Sequence, residues 1–241
     1  MHATGAAHRR FVRFGTVVAI DIGVPQPWGI QACPGWGEVE PEDVRAALQW
    51  CDDRGREHGW RACLPEARVG HPPWDALVPV ERLPMFAADS AHVAGLDPPP
   101  IPDLVLDDDP SYESVVAAYG GWMSDESLAR LLVVRSDLAR PGRRFIVGSV
   151  HGRPVGCAFV WWAGGTGYLS GIGVLPGQRG LGYGRSLTAA AARLAGSGPG
   201  EGAGPDLVWM HATTEGAALY SQMGFALVDT EVQLAAPGTS A

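Results

Sequence analysis

The pattern of apolar and polar positions is most regular in the second half of the chain. Leucines recur at helical spacing over residues 125–139, after an apolar-rich segment at 111–122, and both segments are predicted to be helices. Apolar runs at 144–150 and 154–162 flank His151-Gly152, a two-residue turn signal, and so predict a hairpin. Further strands are predicted at 167–174, 207–211 and 225–234, and further helices at 184–195 and 216–223.

This order of elements predicts the fold class. Two helices are followed by three strands, a helix, a strand, another helix and a last strand. Such an order covers both faces of one sheet with helices. We therefore expect an α/β (α+β) protein with a mixed, mostly antiparallel central sheet and helices on both faces.

The first half of the chain has a simpler pattern. Residues 16–22 and 29–33 are predicted to be short strands joined by a proline turn. A proline and three acidic residues at 40–43 mark the start of a helix, which continues with helical apolar spacing and ends by Gly59. A strand is predicted at 60–64. The segment therefore forms a small unit in which no chemistry is evident.

A composition change separates the two halves. The segment at 96–110 is rich in proline and contains Asp107, Asp108 and Asp109, which favours an extended, solvated connection. We interpret the three aspartates as a turn or a helix cap in preference to a metal site. The predicted domains are therefore an accessory domain at 1–95, a linker at 96–110 and a second domain at 111–241.

Net charge and hydropathy limit the classes of binding partner that we expect for this protein. The net charge of −8 disfavours nonspecific nucleic-acid binding, which needs a basic surface. No run of 18 apolar residues is present, so no membrane-spanning segment is expected. Asp21 and Gly23 interrupt the apolar stretch that could suggest a signal peptide. We expect a cytoplasmic protein that binds neither nucleic acid nor membrane; the oligomeric state stays open, with a homodimer as one option.

Missing residue types exclude several enzyme classes. The chain has no lysine, whereas Walker-type NTPases, protein kinases and pyridoxal-phosphate enzymes each depend on one. The four cysteines are scattered, without a Cys-x-x-Cys pair. Neither a structural zinc site nor a disulfide framework is therefore expected, and we predict no metal.

The candidate chemistry lies in the glycine-rich turn between the strand at 167–174 and the next helix. Helix N-termini present unpaired N–H groups and a partial positive charge, and glycines let a phosphate approach the backbone closely. The turn suits a diphosphate. A dinucleotide-binding G-x-G-x-x-G pattern fails because Arg185 stands where the third glycine belongs, and a P-loop fails because Tyr183 follows Gly182.

The pattern that does fit is R-x-x-G-x-G, from Arg179 to Gly184, directly after the strand. It resembles the acyl-CoA pyrophosphate loop of the GNAT superfamily of N-acyltransferases. A second segment, 213–225, resembles the family's later helix, which ends in Leu-Tyr and is followed by Gly-Phe and a strand. The resemblance covers about residues 110–235. It also suggests that residues 1–95 are a degenerate GNAT-like domain without a loop of this kind.

The resemblance implies a site for acetyl-CoA as acyl donor. Backbone groups of the strand would bind the pantetheine arm, an N–H near Val174 would polarise the thioester carbonyl, and Thr213 would offer its hydroxyl. The amides from Arg179 to Arg185 would hold the pyrophosphate. The residues implied in cofactor binding are Ile172, Gly173, Val174, Arg179, Gly180, Leu181, Gly182, Tyr183, Gly184, Arg185 and Thr213.

Tyr220 is the one implied catalytic residue, as the acid that protonates the departing thiolate. The sequence departs from the family pattern at Thr213 and Gly216, where asparagine and alanine are frequent. Tyr168 and Ser170 stand where other members place a basic Glu or His. Deprotonation of the amine would then pass through water, Glu215 or His211.

Two functions follow from the resemblance. The first is an N-acetyltransferase in which a primary amine attacks the thioester directly. The acceptor can be a small metabolite, an antibiotic amine or a protein amino group. The alternative is a non-catalytic acyl-CoA-binding or regulatory module.

Overall fold

The computed structural model describes residues 10–35, 38–98, 100–200 and 202–238. The chain divides into two compact units. One comprises the residues up to Pro84 and those from Asp229 onward, and the other runs from Met85 to Val228. No helix in the described part of the chain has the length and apolar character needed to cross a membrane.

The first unit is a sheet with one long helix. Its strands are β1 (Arg10–Phe14), β2 (Val17–Asp21), β3 (Ile30–Pro34), β4 (Arg61–Pro65) and the second part of β11 (Ala226–Ala235), with α1 at Pro41–Arg54. They pair in the order β1-β2-β3-β4-β11, antiparallel except between β3 and β4. Val44, Ala47 and Cys51 on α1 are buried against the sheet. The predicted two strands, helix and strand are confirmed; β1 was not predicted.

The described residues of the second unit form six paired strands and six helices. The strands are β5 (Val78–Asp89, from Met85 on), β6 (Leu104–Asp107), β7 (Arg143–Val150), β8 (Arg153–Ala163), β9 (Thr166–Val174) and β10 (Leu207–His211). The helices are α2 (Ser90–Ala94), α3 (Tyr112–Met123), α4 (Glu126–Leu132), α5 (Arg135–Leu138), α6 (Tyr183–Ser197) and α7 (Thr214–Gln222).

The sheet of this unit has the order β5-β10-β9-β8-β7-β6. Only β9 and β10 pair in parallel; the other neighbours are antiparallel. Successive side chains on a strand point to opposite faces, so Ile146 packs in the core below α6 and Phe145 packs in the core below α3. The predicted mixed, mostly antiparallel sheet with helices on both faces is confirmed.

Two predictions differ from the structure. The division between units falls at Pro84, earlier than the predicted linker at 96–110, and four residues of that linker form β6, which pairs with β7. The single helix predicted at 125–139 is two helices. It breaks at Val133 and Val134, both β-branched and both extended, and buries Val133.

The break in the helix lets α5 turn Asp137 into the protein. Its carboxylate is buried, accepts a hydrogen bond from the Arg143 guanidinium, and lies 3.4 Å from Nε of Arg140. Arg143 also stacks on the Trp161 ring, with its guanidinium carbon 3.8 Å from the centroid. The ion pair therefore joins α5 to the start of β7.

Replacing Asp137 with alanine should lower the free energy of unfolding by about 3 kcal/mol, because it leaves the arginine charge without its buried partner. Chemical denaturation measures this. The control is Asp97→Ala at an exposed position, which should change the value by less than about 0.5 kcal/mol. A loss below about 1 kcal/mol for Asp137→Ala would show that the pair contributes little.

Candidate active site

A cleft opens where two parallel strands stop pairing. The β9–β10 ladder runs from Thr166 opposite Leu207 to Leu169 opposite Met210. Beyond this point β9 continues to Val174, while β10 ends at His211. Within the described residues, the edge of β9 after Leu169 therefore has no strand paired with it on this side, and its backbone groups face the gap.

A bulge in β9 accompanies the separation. On the β8 side, Cys157 pairs with Gly173 and Phe159 pairs with Ser170, so two residues of β9 lie opposite Ala158 alone. One of them, Gly171, has φ +55°, and a Cβ there would lie 2.8 Å from the Phe159 ring. Because a bulge bends its strand and increases the local twist, it turns β9 away from β10.

The cleft has a volume of about 1000 Å³. It brings together eleven of the twelve residues predicted from the sequence: Ile172, Gly173, Val174, Arg179, Gly180, Gly182, Tyr183, Gly184, Arg185, Thr213 and Tyr220. Leu181 is not among the lining residues, and its side chain is exposed. Only its backbone could therefore take part in the site.

The N-terminus of α6 forms one end of the cleft and is uncapped. Every residue of α6 is described, and the helix has neither a side-chain cap nor an acidic residue in its first turn. By contrast, α3, α4 and α7 each have a side-chain cap and a glutamate in the first turn. The partial positive charge and the unpaired N–H groups of α6 thus lie open to an anion.

Arg179 of the motif and Arg185, directly after it, both have protein partners. Arg179 donates to Glu215 Oε2 at 3.4 Å, and Arg185 donates to Gln222 Oε1 at 3.1 Å. Both contacts are exposed, and they join the turn before α6 and the first turn of α6 to α7. An exposed ion pair such as Arg179–Glu215 contributes about 1 kcal/mol or less, and the partner of Arg185 is a neutral amide. Both arginines can therefore exchange their partners for an anion at little cost.

Thr213 has a structural role that the motif does not predict. It is the N-cap of α7, and its hydroxyl oxygen accepts a hydrogen bond from the Gly216 N–H at 3.2 Å. The hydroxyl hydrogen remains able to donate. Thr213 therefore positions α7 and lines the cleft at the same time.

Tyr220 is buried in the wall of the cleft, with 6% of its surface exposed. Its ring packs edge-on against Phe86 and Phe225. The hydroxyl lies next to Gly216, where an alanine Cβ would approach it to 3.4 Å. Burial raises the pKa of Tyr220 to about 12, so the phenol keeps its proton at neutral pH.

The structure adds residues that the motifs do not identify. Trp122, near the end of α3, lines the cleft and lies over Gly173, where a Cβ would come within 2.2 Å of the indole. Ser170 and His211 also line the cleft, and His211 Nδ1 lies 3.2 Å from the Tyr168 hydroxyl. The contact of Trp122 with Gly173 is tertiary and has no sequence signal, since a glycine-glycine-tryptophan run at a helix end is unremarkable.

The adjacent tryptophans point to opposite faces, as expected for a strand. Trp161 donates to Ser170 Oγ at 2.9 Å, and Trp162 donates to the Ala195 carbonyl on α6 at 2.8 Å.

Among the described residues, no group of three or more His, Cys, Asp or Glu side chains could hold a metal ion.

Comparison with known proteins identifies the domain that contains this cleft. Residues 141–227 match the family model described as "Acetyltransferase (GNAT) domain". This segment includes β8, β9, α6, β10 and α7, and therefore most of the cleft. Residues 141–227 form a domain of the GNAT acetyltransferase family, whose general activity is acyl transfer. A search of curated proteins found no significant match.

Solved structures show the same fold over nearly the whole chain. A GCN5-related N-acetyltransferase from Kribbella flavida has a TM-score of 0.69 and 21% identity, with 98% of this chain and 92% of that chain covered. A tandem GNAT protein from the clavulanic acid biosynthesis pathway has a TM-score of 0.62 and 16% identity, with 93% and 79% covered. At these identities the likeness shows the fold alone.

The backbone conformation at the start of α6 can be tested without a ligand. Gly182 has φ +86°, whereas Gly184 is helical and a Cβ there would meet its neighbours at an ordinary 3.6 Å. Gly182→Ala should therefore lower the free energy of unfolding by about 1–2 kcal/mol. Gly184→Ala, the matched control, should leave it unchanged or raise it by up to about 1 kcal/mol. Equal effects of the two substitutions in chemical denaturation would contradict this loop geometry.

Proposed function

We propose that the protein is an N-acetyltransferase that moves an acetyl group from acetyl-CoA to a primary amine by direct attack on the thioester. The observation that carries the proposal is the uncapped N-terminus of α6 at one end of a cleft between two separating strands. A diphosphate fits the helix end, and an extended arm fits the free edge of β9. These two features occur together in one unit of the protein.

The residues present fit acetyl-CoA. The amides of Gly182 to Arg185 precede or open α6 and are not consumed by its helical hydrogen bonds, the first of which is donated by Ser186 to the Gly182 carbonyl at 3.2 Å. They would hold the pyrophosphate, with Arg179 and Arg185 adding charge-assisted contacts. The donor supplies an activated acetyl group; the protein binds and orients it.

The free edge of β9 would bind the pantetheine arm. Backbone groups of Ile172 and Val174 would hydrogen-bond the arm, and an N–H near Val174 would stabilise the negative charge that develops on the carbonyl oxygen. Such a donor is fixed by the sheet before the reaction, so it needs no reorganisation when the charge appears. The carbon–nitrogen bond would form at the carbonyl carbon first, and the carbon–sulfur bond would then break to release the thiolate of CoA.

Tyr220 would return a proton to the departing thiolate while the amine loses one. A phenol is a weaker acid than a thiol, whose pKa is about 8.5, so the transfer depends on position and on exclusion of water. Burial of Tyr220 meets the second condition. The proton of the amine would leave through water, Glu215 or His211.

A negative charge added at the start of α6 tests the phosphate site. Gly184→Glu places a carboxylate in the first turn, where it should raise the free energy of unfolding by about 0.3–1 kcal/mol through the helix dipole. The same carboxylate should weaken acetyl-CoA binding at least tenfold in calorimetry, because it occupies the anion site.

The control is Gly200→Glu, which adds the same charge at an exposed position outside the cleft lining. It should leave the acetyl-CoA dissociation constant within twofold. Unchanged affinity for Gly184→Glu would show that the diphosphate binds elsewhere.

Removing the Tyr220 hydroxyl tests the acid. Tyr220→Phe should lower kcat at least about 100-fold, the usual lower range for a general acid, and leave the acetyl-CoA dissociation constant within twofold. Because the pKa of Tyr220 is raised to about 12, it stays protonated up to about pH 11, and wild-type kcat should show no loss from Tyr220 below pH 10.

The matched control is Tyr119→Phe, a tyrosine outside the cleft lining whose pKa burial likewise raises to about 12. It should keep its kcat within threefold. Full activity in Tyr220→Phe would remove Tyr220 from the mechanism. Tight acetyl-CoA binding without turnover of any amine would favour the non-catalytic acyl-CoA-binding module.

A further inference from the structure

Beyond the donor end of the cleft, three aromatic side chains lie together on the face of the sheet that also carries Ser170. We propose that this aromatic cluster, Tyr168, Trp209 and His211, binds the acceptor, and that the acceptor is an amine with a single positive charge and a flat aromatic body. The inference rests on the proposed acetyl transfer and names its second substrate by class.

The cluster is built by the last rungs of the β9–β10 ladder. Tyr168 is directly opposite Trp209, and their ring centroids are 4.4 Å apart at a tilt of 38°. His211 lies two residues further along β10, with its ring edge-on to both, at 5.5 Å from Trp209 and 5.9 Å from Tyr168. All three side chains are partly exposed. The ladder thus holds three rings in one fixed arrangement.

The cluster adjoins the place where the thioester would react. Ser170, Gly171 and His211 line the cleft, and Tyr168 precedes Ser170 on the same face of β9. An amine at the cleft end can therefore reach the thioester while its body lies on the rings. Trp161 does not extend this surface, because Arg143 already covers its ring.

The indole N–H of Trp209 and the hydroxyl of Tyr168 are directed at other protein side chains. Trp209 Nε1 donates to Thr166 Oγ1 at 3.0 Å, and the Tyr168 hydroxyl lies within hydrogen-bond distance of His211 Nδ1. What the rings offer a ligand is therefore their π faces. Such faces attract a flat apolar group by stacking and a cation by the ring quadrupole.

The charges of the cleft select the kind of amine. Of the described lining residues, the charged side chains Arg179, Arg185 and Glu215 all lie at the α6–α7 end, and Glu215 pairs with Arg179. Around Ser170 and His211 the described lining residues include no carboxylate to hold a polycation and no arginine to hold an acidic acceptor. Arg143 lies on the neighbouring Trp161 ring, but its charge is paired with the buried Asp137. An aromatic monoamine matches this surface, whereas a polyamine does not.

The experiment compares three acceptors with acetyl-CoA saturating: 2-phenylethylamine, butylamine and spermidine. We expect kcat/KM for 2-phenylethylamine to exceed that for each of the others at least tenfold. Trp209→Ala should raise KM for 2-phenylethylamine about tenfold and leave KM for butylamine and the acetyl-CoA dissociation constant within twofold. Trp209→Phe keeps an aromatic face and should restore KM to within threefold of wild type, which also guards against a folding defect in Trp209→Ala.

Two outcomes separate the acceptor assignment from the proposed function. Preference for spermidine or butylamine, or equal effects of Trp209→Ala on both monoamines, would overturn the aromatic acceptor and leave acetyl transfer intact. Calorimetric titration of 2-phenylethylamine into the protein with CoA bound should show binding that Trp209→Ala weakens about tenfold; no binding would also overturn the assignment. Failure of acetyl-CoA itself to bind would overturn the proposed function.

Discussion

The site depends on one interruption of a β-ladder. Parallel pairing between β9 and β10 ends at Leu169 and Met210, and the bulge at Gly171 accompanies the departure of β9 from its neighbour. In a continuous sheet these backbone groups would bond each other and no space would exist between the strands. Because the ladder stops, the same groups become available to a ligand.

The second requirement is the partial positive charge at the N-terminus of α6, the helix that follows β9. The turn after Val174 leads directly into α6, so the helix N-terminus and the free strand edge belong to one continuous stretch of chain. Ser111, Asp125 and Thr213 cap the N-termini of α3, α4 and α7, whereas α6 has no side-chain cap and leaves its amides open. The proposed binding site would thus use hydrogen-bonding capacity that the fold leaves unused.

Much of the second unit could be predicted from the sequence because its signals are local. The hairpin at His151-Gly152 and the glycine turn from Arg179 are short patterns with direct backbone consequences. The residues of the glycine turn, apart from Leu181, line the cleft. β5 and β6 gave no such signal: β5 carries two prolines and exposed charged residues along its first half, and β6 lies in a proline- and aspartate-rich segment. The contact of Trp122 with Gly173 and the Tyr168–Trp209–His211 cluster arise only from packing and strand register, which no local pattern encodes.

The most direct measurement is a crystal structure of the protein with acetyl-CoA bound. We expect pyrophosphate oxygens within about 2.7–3.2 Å of the amide nitrogens between Gly182 and Arg185, and the thioester between β9 and β10. A diphosphate bound elsewhere on the protein, with the start of α6 in contact only with water or with the protein's own side chains, would contradict this expectation.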